Sequence, residues 1–173
     1  ASGAPTFAPG AAAALSRGQL VYSYALHAIG RLERLPGGSP GALAVSRLAA
    51  THGEVRASTE AHGRLLACAF IHALARGTPS ACRDAYLALI ENGHGERRAE
   101  CVRHLVTHVC ERGTPALLAE LPWAHLRTEL METLGEKART GNPRRRPAFH
   151  EVRFALAARA GDAREAAQSM WEW

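Results

Sequence analysis

Turn signals divide the chain into blocks whose apolar positions suit helices of ordinary length. A first helix is expected over about 11–34, ending before the loop Leu35-Pro36-Gly37-Gly38-Ser39-Pro40-Gly41. A short second helix follows over about 43–52, and a third over about 54–76 with its apolar residues gathered toward the C-terminal half. Further helices are expected near 79–91, 96–111, 115–121, 125–140, 148–160 and 163–172.

The punctuation between the blocks repeats. Arg76-Gly77-Thr78-Pro79 returns 36 residues later as Arg112-Gly113-Thr114-Pro115. Gly closes a helix in the left-handed conformation, Thr caps the next one, and Pro is tolerated at its first position because that N–H is unpaired anyway. Each copy therefore predicts a tight helix-to-helix turn. Gly161-Asp162, with Glu165 three residues after the Asp, predicts a third turn of this kind with a capping-box-like start. Helix pairs spaced in the mid-thirties are the signature of tetratricopeptide-like α-solenoids, in which each pair buries its apolar face by stacking on the next. The match lies in spacing and turn chemistry rather than in a full repeat consensus. The final Ser169-Met170-Trp171-Glu172-Trp173 is still in helical pattern, so the expectation is a fragment of a larger helical domain.

Composition strengthens the helical reading. The 173 residues include 35 Ala and 20 Leu against 10 Val plus Ile, and β-branched residues are the ones that suit strands. That length ordinarily makes one domain. Residues 1–10 read as a low-complexity or disordered tail with no basic start to a signal peptide, and residues 11–173 as one helical segment. The longest apolar run, Leu65 to Ala75, is eleven residues and contains His72, short of the roughly eighteen a membrane span needs. No membrane insertion is expected.

Charge changes the picture little. The net charge is +5, but only Lys137 is Lys among 21 basic residues, and acidic residues are interspersed throughout. The one dense basic run, Arg144-Arg145-Arg146, is shorter than the aromatic-laced stripe of a nucleic-acid groove, so nucleic acid is not an expected partner. Cys68, Cys82, Cys101 and Cys110 lack C-x-x-C spacing and read as free, mostly buried thiols in a reducing compartment.

Three stretches raise the question of chemistry. Cys101, His104, His108 and Cys110 crowd one segment, but on a helix turning 100° per residue the two cysteines fall about 180° apart, at the margins of an apolar arc of Val102, Leu105, Val106 and Val109. The histidines stack on the other side beside Arg103 and Thr107, so the four cannot converge as a tetrahedral zinc site demands. Core-edge cysteines and exposed histidines are expected instead. Gly37-Gly38-Ser39-Pro40-Gly41 spells the nucleophile elbow, yet the residue after its Ser is Pro40, which has no N–H for an oxyanion hole. His150-Glu151 opens like H-E-x-x-H, but Phe154 stands at the second histidine position. His27, His62 and His72 read as surface or satisfied core residues. No catalytic, cofactor or metal residue is expected, and the chain is read as not an enzyme.

A more specific signal covers residues 84–172. In order come Ala85-Tyr86, Arg97-Arg98, Cys101-Val102-Arg103-His104-Leu105-Val106, Cys110-Glu111-Arg112, Leu121-Pro122-Trp123 and Lys137-Ala138-Arg139. Ala166, Met170 and Glu172 complete the series. Together these resemble the helical region of the nucleoporin 160 family. The departures are the Leu-Pro-Trp turn in place of Phe-Pro-Tyr, a sparse aromatic helix with Phe149 and Phe154, and the basic insertion Asn142 to Arg146. Residues 1–83 carry no matching motif.

The resemblance implies a non-enzymatic scaffold segment of the nuclear pore outer ring, the Y complex, supporting nucleocytoplasmic transport of mRNA and protein without a cofactor. Its implied partners are other Y-complex nucleoporins, namely the nucleoporin 85 arm, the nucleoporin 96 stem and a nucleoporin 37-type propeller, and its implied place is the nucleus, at the pores of the nuclear envelope. The alternatives are an unrelated tetratricopeptide-like adaptor that binds peptides and, in a different class, an enzyme using the clustered Cys and His or the Gly37–Gly41 loop.

Overall fold

The computed structural model describes residues 15–92, 96–141 and 148–172. The expected tail 1–10, the basic insertion Asn142 to Arg146 and Trp173 lie outside the described residues. Among the described residues every regular element is helical: α1 (Arg17–Leu32), α2 (Ser39–Ala50), α3 (Gly53–Ala57), α4 (Thr59–Arg76), α5 (Pro79–Glu91), α6 (Glu96–Glu111), α7 (Ala116–Glu120), α8 (Arg127–Thr140), α9 (Phe149–Arg159) and α10 (Ala163–Trp171), with a 3-10 turn at Trp123–His125 before α8. The fold is all-α, of the tetratricopeptide-like helix-pair kind expected.

Three boundaries differ from expectation, each for a local reason: the first helix begins at Arg17 rather than near residue 11, because Ser16 is extended and caps it together with Gln19. The second helix begins at Ser39 rather than near residue 43, because Ser39-Pro40 supplies a favourable first turn in which the missing Pro N–H costs nothing. The segment expected as one helix over 54–76 is two, since Ser58 is extended (φ −93°, ψ 104°) and its hydroxyl accepts the Ala61 N–H at 3.4 Å, starting α4 afresh.

The chain forms two compact units, Ala1–His72 and Ala73–Trp173, divided within α4. In the first, α1 packs on α2 and α3. The core includes Ala25, Ile29, Ala42, Leu43, Val55, Leu65 and Phe70, and Ser46 sits fully buried with its hydroxyl on the Ala42 carbonyl. Ser16 and Gln19 form a capping box at the start of α1, but the first turn has no acidic residue of its own. Glu54 of α3 takes that place, its carboxylate accepting the Gly18 N–H at 2.6 Å at the positive end of the helix dipole. The approach is close enough that a Cβ on Gly18 would lie 2.5 Å from the Glu54 Cβ. His72, buried as expected of a satisfied core residue, meets Glu33 at 3.2 Å.

In the second unit each long helix packs on the next in order: α5 on α6, α6 on α8, α8 on α9, α9 on α10, with α7 on α6 and the 3-10 turn on α8. The turns expected from Arg-Gly-Thr-Pro are present, but the two copies use their threonines differently. Thr78 accepts the Ala81 N–H at 3.2 Å and caps α5. Thr114 instead donates its hydroxyl back to the Val109 carbonyl, while its N–H and that of Gly113 (φ 72°) close α6 in a Schellman motif on Val109 and Cys110. The copies also touch: the Arg112 guanidinium lies across Gly77 (φ 62°), in the space a Cβ would occupy. At the third turn Asp162 caps α10 through the Glu165 N–H at 3.1 Å, whereas the Glu165 side chain leaves the expected capping box for Arg153.

Two glycines of α1 give a matched test of this packing. Gly30 has open space at its Cβ position, so Gly30→Ala should stabilise the protein by about 0.5–1 kcal/mol through helix propensity. Gly18→Ala brings the same propensity gain but collides with Glu54, and overpacking at about 1–3 kcal/mol should make it net destabilising in chemical denaturation.

Candidate functional site

Helix α6 carries the densest group of candidate ligands, and its geometry disperses them. Val102, Leu105, Val106 and Val109 have no exposed surface, so the apolar arc is the buried face. Cys110 is buried beside it and Cys101 is half-buried at the opposite margin. Burial, followed by the neighbouring Glu111, pushes the Cys110 thiol up to about 11, and burial also raises Cys82 and Cys68, the reverse of what a reactive thiolate needs. His104 is exposed and 3.7 Å from Glu100. His108 is half-buried rather than exposed; its Nε2 is shielded and unpartnered, and burial, then Arg112, lowers its pKa. Among the described residues no three His, Cys, Asp or Glu side chains converge into a metal-binding group. Ser39 is the first residue of α2, not a strand-to-helix elbow, and Phe154 stays partly exposed on α9 beyond His150-Glu151.

The structure concentrates its polar chemistry at joints between helices. Tyr86 of α5, almost fully buried, donates its hydroxyl to the Pro122 carbonyl and meets the Trp123 ring edge-on at 5.1 Å between centroids. Trp123 donates its indole N–H to the Leu118 carbonyl at 2.6 Å, fixing the turn after α7. Arg83 pairs with Glu120 at 2.5 Å, Arg98 of α6 with Glu129 of α8, Arg103 with Glu136 at 3.7 Å, and Arg127 with Asp162 at 3.2 Å. The hydrogen-bonded links Tyr86–Pro122, Arg83–Glu120, Arg98–Glu129 and Arg127–Asp162 span 36, 37, 31 and 35 residues, within a few residues of the 36-residue interval at which Arg-Gly-Thr-Pro recurs. Each link therefore ties one layer of the stack to the next.

The deepest joint was not visible in the sequence. Arg153 is buried on α9, its side chain 7% exposed, and holds two carboxylates, Glu165 of α10 at 2.6 Å and Glu172, which caps the end of α10, at 2.5 Å. Gly135 of α8 makes room for it, since a Cβ there would lie 3.3 Å from an Arg153 nitrogen. The available signal was an Arg in a buried stripe with Val152 and Ala157, followed by two glutamates seven residues apart and hence on one helix face. The carboxyl of Glu172 is held below its ordinary value by the Gln168 amide and then by Arg153; that of Asp162 by the Glu165 N–H and then by Arg127.

Beside these joints, α7 and α9 border an apolar groove in two adjoining stretches of ≈ 270 Å³ and ≈ 310 Å³ that share Ala119, Leu156 and Arg159.

Two experiments check this geometry. Leu105→Asp places an unpaired charge at a position with no exposure and should cost more than about 4 kcal/mol, while His104→Ala should stay within about 0.5 kcal/mol in thermal melts. Arg153→Met strands two partly buried carboxylates and should cost about 3 kcal/mol at neutral pH. Depressed carboxyl groups add stability above their ordinary values, 4.5 for Glu172 and 3.8 for Asp162, and lose it as pH falls through their folded values. Wild-type stability should therefore drop on acidification below those values, and Arg153→Met should drop less steeply in the same titration.

Among known families, the model described as the NUP160/120 middle TPR matches residues 19–173 and so also covers the N-terminal part where no motif could be recognised. Comparison with curated proteins gives no match.

Proposed function

The chain belongs to the NUP160/120 family, and from that membership we propose that it is a scaffold segment of the outer ring of the nuclear pore, the Y complex. A structural role at the nuclear pore, in company with other pore proteins, is what the family stands for. The finer assignment, support of mRNA and protein transport by holding outer-ring neighbours in place, draws on one observation. The family-like residues are spent on joints between helices: Tyr86 on the Pro122 turn, Arg98 on Glu129, Arg112 over Gly77, and Glu172 on Arg153. Residues so used give a rigid presenting surface rather than a reaction centre.

On this reading residues 11–173 act as one helical segment, and its neighbours are Y-complex proteins such as the nucleoporin 85 arm, the nucleoporin 96 stem and a nucleoporin 37-type propeller. No helix among the described residues is long and apolar enough to cross a membrane, so attachment to the envelope would run through protein contacts. The family match removes the ground for an unrelated adaptor. The gene product, tagged in its own cells, should give a punctate nuclear-rim signal and co-purify with outer-ring nucleoporins. A diffuse signal with none of them bound would overturn the proposal.

A further inference from the structure

Three Ser/Thr-Pro dipeptides stand among the described residues: Ser39-Pro40, Thr78-Pro79 and Thr114-Pro115. Such a dipeptide is what a proline-directed protein kinase reads, because the residue before Pro is pushed toward the extended backbone in which a hydroxyl enters an active site. Both threonines belong to the same four residues, Arg-Gly-Thr-Pro. The nearest sequence therefore does not tell them apart, and a preference between them has to come from the fold.

The fold presents them differently. Thr78 is exposed, as are Arg76, Pro79 and Ser80 around it, and its backbone is extended (φ −86°, ψ 155°). Its Oγ1 accepts the Ala81 N–H at 3.2 Å and lies 3.1 Å from the Ser80 hydroxyl, so the cap uses its lone pairs and leaves its hydrogen uncommitted to the backbone. Thr114 is also exposed, but it is tied twice to the last turn of α6. Its N–H donates to the Val109 carbonyl at 3.1 Å, and its hydroxyl donates to the same oxygen at 3.2 Å. An enzyme that needs an extended segment and an uncommitted hydroxyl must first open that turn. Ser39 is half-buried and already helical as the first residue of α2.

We propose that Thr78 is a phosphoacceptor for a proline-directed kinase, and that its twin Thr114 is shielded from the same enzyme by the closure of α6. The kinase transfers the γ-phosphoryl group of Mg-ATP. Thr78 Oγ1 forms the new P–O bond, the bond to the β-phosphate oxygen breaks, ADP leaves, and the hydroxyl proton passes to the catalytic carboxylate of the kinase. A phosphothreonine at this position keeps the cap, since its oxygens still accept the Ala81 N–H, and its charge falls at the positive end of α5. The Arg112 guanidinium, laid across Gly77 one residue earlier, adds a cation from the following turn. At Thr114 the same group would lose the hydrogen that holds Val109 and set negative charge against the carbonyl end of α6. Modification of Thr78 thus leaves its joint closed, whereas modification of Thr114 would open one. This acceptor role goes beyond the scaffold reading and is measured on the purified chain, so the nuclear-rim experiment decides neither outcome.

The test incubates the purified chain, and separately two peptides spanning residues 72–83 and 108–119, with a purified proline-directed kinase and labelled Mg-ATP, and locates the phosphate by mass spectrometry. The peptides carry the local sequence without the fold. In the folded chain the rate of labelling at Thr78 relative to Thr114 should exceed the ratio between the peptides by at least about tenfold, the cost of opening the α6 turn. Thr78→Ala should remove the label from the folded chain, and Thr78→Ser, which keeps both cap and hydroxyl, should retain it. The chain phosphorylated at Thr78 should melt no lower than the unmodified chain. No labelling of the folded chain, or Thr114 or Ser39 labelled in it as fast as Thr78, would overturn the proposal. So would a peptide ratio equal to the folded ratio, which would assign the preference to flanking sequence, or a lower melting temperature after phosphorylation of Thr78.

Discussion

Helix α6 can bury its valine and leucine face only between α5 and α8, and the rest of the second unit is arranged around that constraint. Four residues with no exposed surface make the helix unable to stand alone. Its sequence neighbours cover it, and they in turn need covering, which passes the requirement outward to α9 and α10. Such nearest-neighbour burial explains why the polar cross-links recur at similar intervals, from 31 to 37 residues. Each must join a helix to its counterpart one layer on, about one repeat away in sequence.

Much of this was legible from local chemistry. Gly77, Gly113 and Gly161 were placed at helix ends by their neighbours, and all three adopt the left-handed conformation there. The arc of Val102, Leu105, Val106 and Val109 followed from a 100° rotation alone, as did the separation of Cys101 from Cys110. These features are decided within a dozen residues, where periodicity and capping rules operate.

What escaped was decided at longer range. Arg153 reads as a solvated residue until Glu165, Glu172 and the missing side chain of Gly135 are brought around it. His108 looked exposed because a helical wheel knows nothing of the partner that half-covers it. Ser58 looked like one more helical residue, although its short polar side chain competes with the backbone and does better as a cap. Identical Arg-Gly-Thr-Pro segments diverged too: Thr78 has a full helix ahead of it to cap, whereas Thr114 has only the short α7 and turns back to close α6.

The Arg153 joint has a consequence for orientation. A purely apolar seam between α9 and α10 would tolerate small rotations of α10 about its own axis, because dispersion contacts are non-directional. A planar guanidinium gripping two carboxylates does not, since only one rotational setting brings Glu165 and Glu172 to the same fork. Arg153 thus acts as a key in a keyway, and it fixes the direction in which Trp171, the most exposed large hydrophobic side chain among the described residues, leaves the surface.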